Sequence, residues 1–225
     1  MTGCAPGLFL VGALSALLLA GGALAHGSNT ALGHHAGQSN PAKPVPPPTS
    51  GPTSGPTSGP LPFDVGGAFD LIDQHGAPRS QIDRDGRAQL LFFGYANCLG
   101  ICSAAMPMMA DATDILAARG LPVRPVMITI DPNRDTVATM GDPMAKLHSD
   151  FIGLTGGKAA LAVAYKAFSV EKELAYVDPD HGPVYSHGSF VYLLDARGKV
   201  LTLFPPILDG ERAASIVQGY LAQKE

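Results

Sequence analysis

The stretch Gln89-Leu90-Leu91-Phe92-Phe93-Gly94-Tyr95-Ala96-Asn97-Cys98-Leu99-Gly100-Ile101-Cys102 decides the architecture. Its first half is a continuous apolar run of the kind found in strands buried on both faces, and it predicts a central strand over residues 89–95. Two cysteines follow at once. After them Ala104-Ala105-Met106-Pro107-Met108-Met109-Ala110 continues to Ala118 as a helix-prone segment closed by Gly120. The cysteines therefore lie at a strand-to-helix junction.

Three residues separate Cys98 from Cys102, and in a helical turn that spacing puts them about 6 Å apart along the axis on one face. Both sulfurs can then address one ligand. The same separation is compatible with a disulfide, whose Cα atoms lie roughly 4.4–6.8 Å apart. At a helix N-terminus the unpaired amides and the helix dipole favour thiolate over thiol. Two thiolates are soft donors that select Cu(I), Zn(II) or a similar ion over Ca(II) and Mg(II).

Outward from this centre the chain alternates short apolar runs with helical stretches, the pattern of an α/β domain. Val126-Met127-Ile128-Thr129-Ile130 is the core of a second buried strand over residues 123–130, and it runs into Asp131-Pro132-Asn133-Arg134-Asp135-Thr136. A helix is expected next, the main part of it starting at Asp142-Pro143. Residues 158–168 read as another helix after Thr155-Gly156-Gly157. Phe190-Val191-Tyr192-Leu193-Leu194 and Val200-Leu201-Thr202-Leu203-Phe204 form a hairpin across Asp195-Ala196-Arg197-Gly198-Lys199, and residues 210–222 close the chain as a helix. Strand, helix, strand, helix, hairpin, helix is the thioredoxin order. Upstream, Phe69-Asp70-Leu71-Ile72-Asp73 enters a tight turn at Gln74-His75-Gly76, with Gly76 supplying positive φ, so residues 61–82 add an N-terminal β extension. In such a fold Ser186-His187-Gly188, read as a loop before the strand at Phe190, comes toward the cysteine end. His187 is thereby the candidate third ligand.

The chain has 225 residues, 46% of them hydrophobic, which fills one core once the N-terminal quarter is set aside. A formal net charge of -4 with no basic run argues against nucleic acid as a partner. Only three cysteines occur, and Cys4 lies in the leader, so Cys98 and Cys102 form a local pair rather than part of a disulfide scaffold. Residues 7–25 are apolar apart from Ser15 and end in Ala23-Leu24-Ala25, a small-x-small cleavage pattern. The segment fits either a signal peptide or a membrane anchor, since about 20 apolar residues span a bilayer. Either way an extracytoplasmic, periplasmic location is expected for the rest, secreted or tethered to the inner membrane.

Residues 26–60 carry the repeat Pro-Thr-Ser-Gly at positions 48–51, 52–55 and 56–59, a composition too poor in apolar groups to offset chain entropy. The expected organisation is a leader (1–25), a disordered tether (26–60) and a folded domain (61–225). His26, His34 and His35 read as solvated tether residues. Met106, Met108 and Met109 read as helix core. Asp131, Arg134 and Asp135 are candidates for receiving a partner or a proton beside the site, with turn and helix capping the simpler use, and His181 is a weak candidate for an auxiliary ligand. There is no Gly-rich phosphate loop and no GxSxG elbow.

Residues 92–98 through Cys102, the 131–136 loop, Gly153-Leu154-Thr155-Gly156, and Tyr185-Ser186-His187 before Val191-Tyr192-Leu193-Leu194-Asp195 together resemble the Sco/SenC family, in family order over residues 61–225. The resemblance implies a thioredoxin-like domain on a membrane tether. It implies copper, as Cu(I) or Cu(II), held by Cys98, Cys102 and His187, for delivery to the binuclear site of cytochrome c oxidase. The partners implied are a copper acceptor, an oxidase subunit or another copper chaperone, and a thiol-disulfide reductant. The chain departs from the family in having Leu99 and Ser103 where proline commonly follows each cysteine, and Ser186 where aspartate commonly precedes the histidine. The alternative function, from the residues alone, is thiol-disulfide exchange with Cys98 and Cys102 as the redox pair.

Overall fold

The computed structural model describes Leu61, residues 64–98 and residues 100–224. The expectations for the leader, the tether, Cys4, His26, His34, His35 and Leu99 fall outside the described residues. All described residues belong to one compact unit, Pro52–Glu225, and among them no helix is long and apolar enough to cross a membrane.

The elements in chain order are β1 (Asp70–Asp73), β2 (Pro78–Ser80), β3 (Ala88–Gly94), α1 (Cys102–Ala118), β4 (Val123–Thr129), α2 (Val137–Leu147), β5 (Ile152–Thr155), α3 (Lys158–Ala167), β6 (Lys172–Asp178), β7 (Gly182–His187), β8 (Val191–Leu194), β9 (Val200–Phe204) and α4 (Gly210–Leu221). Seven strands form one mixed sheet in the order β2-β1-β5-β4-β3-β8-β9. β3, β4 and β5 run parallel, with Phe92 opposite Met127 and Ile128 opposite Leu154. β8 joins β3 antiparallel, with Leu91 opposite Tyr192. This is an α/β thioredoxin-like fold in which β1 and β2 form the N-terminal extension.

The buried strands were legible because they carry no polar face: every residue of β4 and every residue of β3 after Ala88 is buried. α1 lays Ala105, Met109, Ala112 and Leu116 against this layer without exposure. Met106 and Met108 are also buried, which supports their reading as core. At the first turn Asp73 accepts N–H bonds from His75 and Ala77, each at 2.9 Å, and pairs with Arg79 at 2.8 Å, while Gly76 takes φ +78° as expected.

Three expectations are corrected. α2 begins at Val137 rather than at Asp142-Pro143, because Thr136 and Thr139 cap it reciprocally; the Thr136 N–H donates to Thr139 Oγ1 at 2.8 Å. Pro143 consequently lies inside α2. The helix-capping role given to Asp131, Arg134 and Asp135 belongs to these threonines, although Asp131 does form the turn by accepting the N–H groups of Arg134 and Asp135. Finally, Ser186 and His187 lie in a strand rather than a loop: β6 and β7 pair as a separate two-stranded sheet, with Lys172 opposite His187 and Leu174 opposite Tyr185. β6 has no buried residue along its length, so no hydrophobic alternation announced it.

Candidate metal centre

Both cysteines lie where β3 ends and α1 begins, at the carboxyl end of the parallel strands. β3 cannot continue past Gly94, whose carbonyl accepts from Ile130 N at 2.8 Å, and the chain turns so that Cys98 N donates to the Tyr95 carbonyl at 3.2 Å. Gly94 is required by close approach: a Cβ there would stand 2.6 Å from Phe92 Cε1 and 3.1 Å from Cys102 Sγ. Only Cys102 is helical, as the first residue of α1 after Ile101. Cys98 precedes the helix in the turn, which corrects the expectation of two sulfurs on one helical face.

Cys102 is fully buried, Cys98 is half-buried, and both are free thiols. The third group reaches them from β7. His187 Nε2 lies 3.9 Å from Cys102 Sγ, and the ligand atoms of Cys98, Cys102 and His187 all fall within 4.8 Å of one another. His181, by contrast, is exposed at the β6–β7 turn and bonds Asp178 at 3.0 Å.

The imidazole is held in a useful orientation. Nδ1 lies 2.8 Å from the Gly188 carbonyl, which can only accept, so Nδ1 donates there and Nε2 is the ring nitrogen turned toward the sulfurs. Phe92 and Tyr95 meet the ring edge-on, with centroids 6.0 and 6.3 Å away.

The two sulfurs are electrostatically unequal. The Cys102 thiol donates to the Cys98 sulfur and, against the opposing effect of burial, His187 and the backbone N–H groups of Cys102 and Gly100 add to it, drawing Cys98 down to about 4. Cys102 is pushed up, first by that donation and then by burial. Cys98 is therefore the thiolate and Cys102 holds the proton that they share. Burial also pushes the neighbouring Tyr95 hydroxyl up to about 12, keeping it neutral. Alkylation of Cys98 by iodoacetamide should accordingly stay near its plateau rate from pH 8 down to pH about 5, where an ordinary thiol, with pKa about 8.5, loses reactivity tenfold per unit. A rate that falls steadily below pH 8 in a stopped-time mass-spectrometric assay would contradict this assignment.

Residues to which the sequence assigns other roles, or none, complete the centre. Asp135, 1% exposed, accepts from Ala96 N at 3.0 Å and Thr129 Oγ1 at 2.7 Å, fixing the loop two residues before Cys98. Burial pushes its carboxyl up, with those two donors opposing. Tyr185 packs edge-on against Tyr95 at 5.8 Å. An open groove lined by Glu171, Lys172, Glu173 and Ser186 leads to His187.

Chemically, two sulfurs and an imidazole nitrogen converging on one point suit a soft or borderline transition ion. The pair also has what disulfide exchange requires, an accessible thiolate backed by a buried thiol.

The family model described as SCO1/SenC matches residues 58–222. An SCO2-like protein of Rickettsia conorii is 37% identical over 142 residues, covering 62% of this chain and 69% of that protein. Arabidopsis thaliana ScoI, solved with copper bound, is similar in structure with a TM-score of 0.66 at 26% identity, covering 71% of this chain and 99% of that one. BsSco, described as a member of the Sco family of cytochrome c oxidase assembly proteins with a disulfide switch, aligns with a TM-score of 0.54 at 26% identity, covering 72% of this chain and 95% of its own.

Proposed function

We propose, from the premise that this chain belongs to the SCO1/SenC family, that it is a copper metallochaperone in which Cys98, Cys102 and His187 hold one copper ion for transfer to a respiratory acceptor. The observation that carries this reading is the convergence of two sulfurs and an imidazole nitrogen within 4.8 Å. Copper bound to Arabidopsis ScoI supports the choice of metal, and the description of BsSco as one of the cytochrome c oxidase assembly proteins supports an oxidase as the destination. An extracytoplasmic location, with residues 1–25 as signal or anchor, residues 26–60 as tether and residues 61–225 as the working domain, belongs to the same proposal. Loading needs both cysteines reduced, because a disulfide leaves no thiolate to donate.

One observation favours a second reading. The half-buried Cys98 thiolate beside a buried Cys102 thiol is the order of groups for disulfide exchange. Cys98 would attack a partner disulfide and release one partner thiolate. Cys102, giving up its proton, would then attack the Cys98 sulfur, forming the Cys98–Cys102 disulfide and freeing the reduced partner.

Both readings are separated by one experiment. The copper-loaded, reduced protein is mixed anaerobically with a soluble apo oxidase copper domain, once with its cysteines reduced and once with them oxidised. Copper appearing on the reduced acceptor supports the metallochaperone. Reduction of the oxidised acceptor by the copper-free protein, with no copper transfer in either case, replaces it with the oxidoreductase.

A further inference from the structure

We infer that Lys172 and Arg134 are positioning residues that latch the β6–β7 hairpin to the body of the domain and thereby hold His187 against the cysteine loop. The hairpin has no backbone ladder to the seven-stranded sheet and β6 has no buried residue, so its apolar contact with the core is confined to half-buried β7, where Tyr185 packs on Tyr95. Two cations add to that contact, one at each end.

At the His187 end, Lys172 stands directly opposite His187 in the β6–β7 register, which puts both side chains on one face. Its ammonium donates to the Ile130 carbonyl at 2.5 Å and lies over the rings of Tyr165, at 5.7 Å, and Tyr185, at 5.3 Å. Ile130 is the residue whose N–H bonds Gly94, so Lys172 grips the same backbone that ends β3.

At the turn end, Arg134 reaches from the 131–136 loop. Nη1 donates to the His181 carbonyl at 2.5 Å and Nη2 to the Pro183 carbonyl at 2.6 Å, while Nε pairs with Asp131 and the guanidinium lies 5.3 Å from the Tyr95 ring centre. The turn is shaped around this group: Gly182 takes φ +75°, and a Cβ there would meet Arg134 Nη1 at 3.2 Å. The same short loop carries Asp135, which bonds Ala96 beside the cysteines. One segment therefore touches both halves of the ligand set. A lysine is not equivalent to Arg134, because the three acceptors are spread over three nitrogens of one planar group, whereas an ammonium would have to reach all of them from a single atom.

The copper consequence rests on the proposed function, whereas the latch itself does not, and the experiment separates them. Lys172→Met keeps the apolar stem and removes the ammonium; Arg134→Gln removes the fork. In the copper-free, reduced full chain, amide exchange of residues 182–187 should accelerate about tenfold or more in each variant while β3 and β4 keep their protection. After loading with Cu(II), nitrogen hyperfine coupling from imidazole should weaken and Cu(II) affinity should fall about 10–100-fold, more for Lys172→Met. Unchanged exchange in the hairpin of either folded variant overturns the latch. Copper that fails to bind the unaltered protein overturns the copper reading, and the exchange data still decide the latch. The variants lie on different elements, so misfolding of one leaves the other as the test.

Discussion

Replacing His187 by alanine lowers the affinity for Cu(II) by at least about 100-fold while reducing that for Cu(I) far less, the expected outcome if the imidazole is the third ligand. The asymmetry follows from the donors. Cu(I) is well satisfied by two thiolates, and both sulfurs survive in the variant. Cu(II) gains more from nitrogen, and Nε2 is the one nitrogen that the Gly188 carbonyl leaves free to face Cys102. Anaerobic competition against a chromophoric chelator, run separately for each oxidation state, measures both constants. Equal affinities for Cu(II) in the two proteins would remove His187 from the ligand set.

Asp83→Ala destabilises the domain by about 3 kcal/mol, because it removes the buried carboxylate that Arg124 shares with two backbone N–H groups and leaves Arg124 only the exposed Asp85. Asp83 is 6% and Arg124 7% exposed, and Arg124 Nε bonds the Asp83 carboxylate, which also accepts the N–H groups of Asp85 and Arg87 at 3.0 Å. At this size the melting temperature should drop about 10 °C. The effect also depends on pH in a defined direction. Burial alone would raise the Asp83 carboxyl, but the Arg87 amide and Arg124 outweigh it, leaving the folded value below the ordinary 3.8. A depressed carboxylate contributes its stability above the unfolded value and loses it as pH falls through the folded one. The gap between parent and variant should therefore be full at neutral pH and close below pH about 4. Thermal melts at pH 7 and pH 3 check both statements, and a gap that widens in acid would refute the second.

Much of the fold was readable because burial had erased polarity. β3, β4 and β8 have continuous apolar cores at Leu90–Phe93, Val126–Ile128 and Val191–Leu194, and Gly76, Gly120 and Gly198 mark turns through their positive φ. The start of α2 was misplaced since Asp142-Pro143 imitates a helix start, whereas the Thr136–Thr139 pair that caps the helix is a weaker pattern in one dimension. β5 was seen only as a motif, being four residues long with a glycine at 153 that admits Met144, to which a Cβ would stand 2.9 Å away. The β6–β7 hairpin was invisible because its docking depends on two cations and two tyrosines rather than on alternation. At the centre the sequence named the three groups that the structure brings together, but not the element bearing His187, nor Cys98 lying outside the helix. Nothing in a spacing of four residues distinguishes a helical pair from a pair that straddles a helix start. Lys172 is illegible as a partner of the site because its acceptor is a backbone carbonyl, which leaves no mark on residue identity, and Arg134 shows in the sequence only as a loop residue beside Asp131, since the hairpin carbonyls it also bonds are equally silent.

The shared proton between the two sulfurs has a consequence for charge accounting. Before loading, one thiolate and one thiol give the buried pair a single negative charge. A cuprous ion that takes both sulfurs as thiolates expels that one proton and supplies one positive charge in its place. The ion and the proton thus exchange like for like, and the pocket keeps the single negative charge beside which Tyr95 stays neutral. A cupric ion would instead leave the pocket neutral, so the two oxidation states arrive at the same ligands with different electrostatic demands. Release of a cuprous ion is, for this pocket, the return of a proton.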